Sequence, residues 1–412
     1  MADSTSTMPR VAVIGGSLGG LNAAVWLRAA GCEVDVFERT PVPLQGRGAG
    51  IVLHPSTVRY FMAHDLADLE GLSVAARWFR YLDTAGHIAH EEASHYRFAA
   101  YGALYRHLLS DFGREHYHLG AECTGFVPAG SDGSGAIARF ADGREARCDL
   151  LVFADGINSV GRRLLLPGVE ACYAGYVAWR GTVSAGSLSA STRETLRAAV
   201  TYVVLADSHA LSYPISDPEG TQEPGQQPIN WLWYRNVARG TQLDELLTGR
   251  GGVRFGTSVP PGMVEERHMH RLRQDAAAAL PPPFQEMVRN TADPYVQVVF
   301  DLEVPRMAFG HACLIGDAAF VARPHAAAGT AKAAEDAWTL SNAVAAAQGD
   351  VPAALRAWEV EQLALGHQVV RRSREAGERL QGGAWRVGEP LAFGLYRSGD
   401  SAFGESQRWL GR

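Results

Sequence analysis

Val11 to Ile14 form an unbroken apolar run between Arg10 and a cluster of glycines. A run that lacks polar alternation reads as a parallel strand covered on both faces. Leu21, Ala24, Val25, Leu27 and Arg28 then fall at helical spacing, and Gly31 stands where a helix stop belongs. "EVDVFE" is the second strand, so residues 10 to 38 read as strand, glycine turn, helix, strand. "ALYRHLLSDFG" reads as a helix, and "ECTGFVPAGSDGSGAIARFADGREARCDLLVFADG" as short strands with turns at "GSDGSG" and "ADGR". That stretch ends in another buried apolar run, "DLLVFADG".

From about residue 170 the texture changes. "YAGYVAWRGTV", "AVTYVVLAD", "HALSYPI" and "INWLWYRNV" alternate as strands of a mixed or antiparallel sheet do, with the loop "SDPEGTQEPGQQP" between two of them. A helix around "FQEMVRNTA", the strand "ACLIGDAA" and long helices from Ala326 onward follow. The tail after Gly382 is glycine-rich and weakly patterned, ordered only where it docks. Buried parallel strands at both ends with an alternating sheet between them predict an α/β fold. In it, a discontinuous nucleotide-binding domain carries an inserted substrate domain.

Composition narrows the setting. At 412 residues and 47% hydrophobic the chain has core for two or three domains. A net charge of −6 argues against nucleic acid or an anionic membrane as partner, and clusters such as "RRSRE" alternate with acids. No apolar run reaches the eighteen residues a membrane helix needs, and "MADSTSTMPR" lacks a signal peptide's apolar core. The five scattered cysteines form no C-x-x-C pair, which points away from zinc and disulfides and toward a reducing cytoplasm. "GREHYH" and "RHMHR" lack the spacing of a helical metal site, so no metal is expected.

Gly15, Gly16, Gly19 and Gly20 lie between strand and helix, with Ser17 where the dinucleotide fingerprint has its second glycine. A small side chain there still lets backbone approach a pyrophosphate at the helix N-terminus, beside Leu18. Glu38, 23 positions after Gly15, is placed to accept from a ribose 2′-hydroxyl. Two further strand ends carry Asp155-Gly156, with Ser159 and Arg162 or Arg163 following, and Gly316-Asp317, with Pro324 and Gly329 following. A simple NAD dehydrogenase has no need of three such strand ends, whereas extended FAD does. A strand-end aspartate suits a ribityl hydroxyl. The helix after Gly329 can aim its positive end at the flavin's pyrimidine edge.

These three motifs, in this order, resemble the group A flavoprotein hydroxylases, single-component aromatic monooxygenases, from about Arg10 to Arg374. "GRGAGIVLHP" resembles the segment that this family runs beside the isoalloxazine. Within the family, "YAGYVAWRG" and "RPHAAAGTAKAAEDAWTL" are most similar to members that hydroxylate a hydroxypyridine. The chain departs from the wider family at Phe320, usually His, at Ala327 to Ala331, usually Gly-Gln-Gly-x-Asn, and at Tyr101, often Arg. The resemblance implies an FAD-binding, Rossmann-like domain of the glutathione-reductase type with an inserted mixed β-sheet substrate domain and C-terminal helices. The expected segments are 8–80, 99–170 and 301–345 for FAD, 81–98 and 171–300 for substrate, and 346–412 for the helical region and tail.

It further implies non-covalent FAD, NADH or NADPH as transient donor, and O2. The expected chemistry is hydroxylation of a small electron-rich ring, a hydroxypyridine or phenol, through a flavin C4a-hydroperoxide. Expected cofactor residues are Gly15, Ser17, Leu18, Gly20, Glu38, Arg39, Arg47, Gly50, Ile51, Asp155, Gly156, Arg162, Gly316, Asp317, Pro324, Ala327, Ala328 and Gly329. A base near the substrate hydroxyl would help. Candidates for that base are His54, His209, His325, Tyr176, Tyr213 and Tyr234. His325, in the loop between Gly-Asp and the helix, and His54 are favoured for catalysis, and both join Tyr176, Tyr213 and Tyr234 as expected substrate contacts. Trp179 and Tyr234 fit sheet packing as readily, and Arg180 fits pairing with an acid. A homodimer is a further expectation. Alternatives are a hydroxylase of a larger polyketide-like phenol, a flavin oxidase, dehydrogenase or halogenase, and a non-enzymatic protein on the same fold. "WLWYRN" lacks the continuation a halogenase would show.

Overall fold

The computed structural model describes residues 8–46, 50–66, 68–129, 134–217, 227–389, 391 and 393–395. A six-stranded sheet is assembled from both ends of the chain, in the order Ala308–Phe309, Ala312–Leu314, Leu150–Phe153, Arg10–Ile14, Glu33–Glu38, Tyr117–Leu119. All neighbours pair in parallel except the edge strand Ala308–Phe309. Val11 to Ile14 and Leu150 to Phe153 are all buried, as strands covered on both faces must be. The helices Leu18–Ala29 and Gly329–Ala346 lie together beside this sheet.

The second layer is an eight-stranded mixed sheet. Its order is Ser258–Val259, Tyr295–Asp301, Cys172–Ser184, Pro228–Asn236, Ser208–Pro214, Ala199–Val204, Trp78–Leu82, Ile88–Ala93. Only Ala199–Val204 with Trp78–Leu82 is parallel. Side chains alternate across it. Trp179, Trp231, Trp233, Val203 and Ala210 pack behind, with Phe284, Met287 and Leu272 of two helices, in a separate core. Arg180, Tyr202, Tyr213 and Tyr234 fall on the other face, toward the nucleotide-binding sheet. Trp179 and Tyr234 therefore part company, because Trp179 pairs with Trp233 and so shares its face.

Gly50–Val52, Arg97–Ala100 and Val74–Ala75 form a small sheet at the junction of the two layers. Sheet membership thus changes between Ala93 and Arg97. The first of the long helices expected from Ala326 onward instead starts at Gly329, after a 3-10 turn Pro324–Ala326 and the left-handed Ala327 (φ 48°). The 31-residue helix Val351–Gln381 then runs back across the junction. No described helix is long and apolar enough to cross a membrane.

Candidate active site

A cavity of about 430 Å³ between the layers and one of about 540 Å³ along the strand ends of the six-stranded sheet meet end to end, sharing Ser17, Tyr101, Ala154 and Gly156. The joined shape is a long cleft, suited to a long ligand. The second cavity takes in Gly15, Glu38, Arg39, Asp155, Asn158 and Arg163. Glu38 already accepts from the Gly16 N–H (2.9 Å) and from Thr40, which fixes its carboxylate at the cavity wall. Asp155 accepts from the Val160 N–H (2.7 Å), while its Oδ1 is buried without a partner. An orphaned carboxylate oxygen on the wall is a ready acceptor for a ligand hydroxyl.

At the waist, helix Leu18–Ala29 begins with no side chain bonded to its first N–H groups. Ser17 turns its hydroxyl to Tyr101 (2.8 Å) instead. Helix Gly329–Ala346 likewise starts uncapped, with Ala328, Gly329 and Thr330 on the cavity wall. Two positive helix ends thus open on one cleft, a fit for a ligand that is anionic at its middle and at one end.

The Gly316-Asp317 turn faces the first cavity. Asp317 is reached from the cavity yet enclosed by protein, and burial lifts its carboxyl to about 6, against the pull of Arg162. The turn is held from behind. Asp336, fully buried, accepts from the Gly316 N–H (3.0 Å) and from Lys332 (2.5 Å). Lys332 is the only lysine in the chain, itself buried against the Phe320 ring.

Arg162 differs from expectation. Its guanidinium lies inside, donating to the carbonyls of Ile157 and Ala318, so it ties the two Asp motifs together and does not line the cleft. Arg163 takes the wall position. Gly20 also lies off the cleft, closely packed on the Gly15 carbonyl. Leu18, Gly50, Ile51, Gly156, Pro324, Ala327, Ala328 and Gly329 all line it. Arg47 lies outside the described residues.

The first cavity's far wall is the substrate sheet. Tyr213 donates to the Gly50 carbonyl (3.1 Å), and burial raises its hydroxyl to about 12, moderated by Arg180. Arg180, expected to pair with an acid, bonds Gln297 (2.5 Å) and stacks near Tyr295; no described acid lies within salt-bridge distance. Its Nε is buried without a partner. A guanidinium left in this state presents an uncompensated charge to the cavity.

His325 is buried on the same wall, its Nε2 2.7 Å from the Tyr176 hydroxyl. Burial, with His209 and Arg323 adding to it, pushes its pKa well down, so it stays neutral. Tyr176 stands behind His325, off the cavity. The long helix closes in here: a Cβ on Gly377 would sit 2.6 Å from both His325 and the Tyr176 hydroxyl, so only glycine permits this approach. His209 stacks on Tyr234 from outside and bonds Gln381 (2.7 Å). His54 is also off the cavity. Its Nε2 bonds the Ala327 carbonyl (2.9 Å), and burial lowers its pKa to about 4. It braces the left-handed Ala327 and does not itself line the cavity.

Arg323 also reaches the cavity but is neutralised by a two-point bond to Asp301 (2.9 and 2.7 Å). Both side chains are buried. Arg323→Met should lower the thermal midpoint by about 5 °C or more, since breaking a buried pair costs about 3 kcal/mol or more. Arg374, 3.3 Å from Asp301, keeps the loss at the lower end. A midpoint unchanged by calorimetry would show that Asp301 is satisfied without Arg323.

A family model described as FAD binding domain-like matches residues 173–301. The chain is 40% identical to 2,6-dihydroxypyridine 3-monooxygenase of Paenarthrobacter nicotinovorans, over 94% of this chain and 96% of that protein. The solved 2,6-dihydroxypyridine-3-hydroxylase from Arthrobacter nicotinovorans superposes with a TM-score of 0.90 at 38% identity, covering 96% and 99% of the two chains. A single-residue variant of Klebsiella pneumoniae HpxO, complexed with FAD, shares the fold at a TM-score of 0.75 and 23% identity, covering 91% of each.

Proposed function

This chain belongs to the group A flavoprotein hydroxylases, FAD-dependent aromatic monooxygenases using NAD(P)H, and from that premise we propose that it hydroxylates a small hydroxypyridine or phenol bound through a ring oxyanion at Arg180. Arg180 is the observation that carries the proposal: a cavity cation with no acid beside it asks for an anionic ligand. FAD, when bound, takes reducing equivalents from NAD(P)H and activates O2 for transfer of one oxygen atom to an electron-rich ring carbon. Glu38, Arg39, Asp155 and Arg163 would hold its adenosine end, and Ser17 and Leu18 its pyrophosphate. Asp317 would accept from the ribityl chain, and Gly50, Ile51, Pro324 and Ala327 to Gly329 would wall the flavin.

The protein's own part in the chemistry is electrostatic. Arg180 lowers the pKa of a ring hydroxyl beside it, and the resulting oxyanion pushes electrons toward the ring carbons. His325 serves differently from a base. Arg323 can only donate to Tyr176, so Tyr176 gives its proton to His325 Nε2, and the imidazole keeps its own on Nδ1. A neutral, donating His325 orients the ring, and its surroundings expel the charge a stored proton would bring. Tyr234 and Tyr213 complete a rigid wall that excludes water.

The test is a panel of hydroxypyridines and small phenols, beginning with 2,6-dihydroxypyridine, scored for substrate-stimulated NADH and NADPH oxidation against hydroxylated product. Product matching nucleotide consumed is the expected result for at least one hydroxypyridine. Peroxide as the sole outcome with every compound would defeat the substrate assignment. A cytoplasmic location fits the five unpaired cysteines. A homodimer completes the proposal, and light scattering at working concentration reads it directly.

A further inference from the structure

Past the long helix the chain returns to the cavity. Phe393 is buried and lines the first cavity beside Val200 and Tyr202. Its ring packs on Tyr96 (centroids 5.0 Å apart) and Phe79 (6.0 Å), and Phe79 in turn stacks on Tyr202 (5.2 Å). The next residue fastens the segment. Gly394 donates to the Ala326 carbonyl (2.8 Å), and Arg372 donates to the Gly394 carbonyl. Both anchors touch the Pro324 to Ala328 loop or the helix behind it.

Gly394 is in the left-handed region (φ 102°), and a Cβ there would lie 2.9 Å from His54 Nδ1. Gly394 thus packs close to one side of the His54 ring, whose other nitrogen bonds the Ala327 carbonyl. The segment and the loop share one brace.

We propose that Phe393 is a specificity-determining residue, the wall that sets how large a ring the cavity admits, and that Gly394 seats it there. The proposal rests on the hydroxylase reading. Phe393 belongs to neither sheet and to none of the three cofactor motifs, so its side chain can set the ring size accepted without supplying a flavin contact of those motifs.

The experiment compares wild type with Phe393→Ala, Phe393→Leu and Gly394→Ala. Each is checked for FAD content, then for kcat/KM on 2,6-dihydroxypyridine and on the same ring carrying an added alkyl group. Phe393→Ala should shift the ratio of the two about tenfold toward the larger ring. Phe393→Leu should shift it in the same direction by less. Gly394→Ala should move it the same way, since the strained backbone displaces the ring. FAD content should hold in both Phe393 variants, whereas Gly394→Ala, which presses on His54 behind the flavin-wall loop, is compared only at matched FAD content. An unchanged ratio in both Phe393 variants, with FAD bound, overturns the proposal. If wild type turns over neither compound, the substrate assignment fails separately. The flavin absorbance change on titrating each ring into wild type and variants then decides the role of Phe393, by the same ratio of affinities.

Discussion

Asp317→Ala is expected to bind FAD about ten- to a hundredfold more weakly than wild type, because one charged hydrogen bond contributes about 1.5–3 kcal/mol. The loss would be read as flavin content after desalting and as Kd by titration into stripped protein. Asp317 also makes this affinity depend on pH. Its carboxyl titrates at about 6 in the ligand-free fold, above the ordinary value of 3.8. Between those two values the folded protein holds a proton that the unfolded chain has released. The stability of flavin-free protein therefore falls as pH rises through that window and levels off above about 6. An acceptor for a ribityl hydroxyl works best ionised, so FAD affinity should rise over the same interval. Asp317→Asn should flatten both curves. Full flavin content in Asp317→Ala would mean that the ribityl acceptor lies elsewhere.

Arg180→Met should leave FAD in place and lower kcat/KM for hydroxylation by about a hundred- to a thousandfold. The pH profile separates its roles. With Arg180 gone, the substrate hydroxyl loses the cation that favours its ionised form, so the rising limb of the rate should move to higher pH. NADH oxidation that continues should yield peroxide in place of product. A variant with an unmoved profile and tight coupling would show that the ring oxygen is held by some other group. Arg180→Lys keeps the charge but loses the two-pronged donor, so partial recovery is expected.

What could be read from the amino acids divides by how local the geometry is. Gly15 to Glu38 form a complete strand, turn, helix and strand within thirty residues, so the positions of Ser17 and Glu38 follow from the chain itself. Gly316-Asp317 is equally local. Arg180 was missed because its face depends on register: the pairing of Arg180 with Leu232 and Tyr295 decides where it points, and alternation alone gives two answers. Tyr234 and Trp179 are separated by the same rule. His54 and Tyr176 were displaced from the cavity by contacts some 150 to 270 residues away in sequence, with His325 and Ala327. Gly377 carried a signal, a glycine deep inside a long helix, but nothing local says that His325 fills the space. Phe393 lay in a tail with no pattern at all.

The solitary lysine has a consequence for amine chemistry. The other 37 basic residues are arginines, so the chain's positive surface is guanidinium throughout. The one ε-ammonium is held by Asp336 beneath the Gly316 turn. Acylating reagents, aldehydes and amine-coupled supports therefore meet no lysine on the folded surface, and acetylation cannot neutralise it. An acyl group found on Lys332 would mark a molecule whose helix Gly329–Ala346 had come away from the Gly-Asp turn.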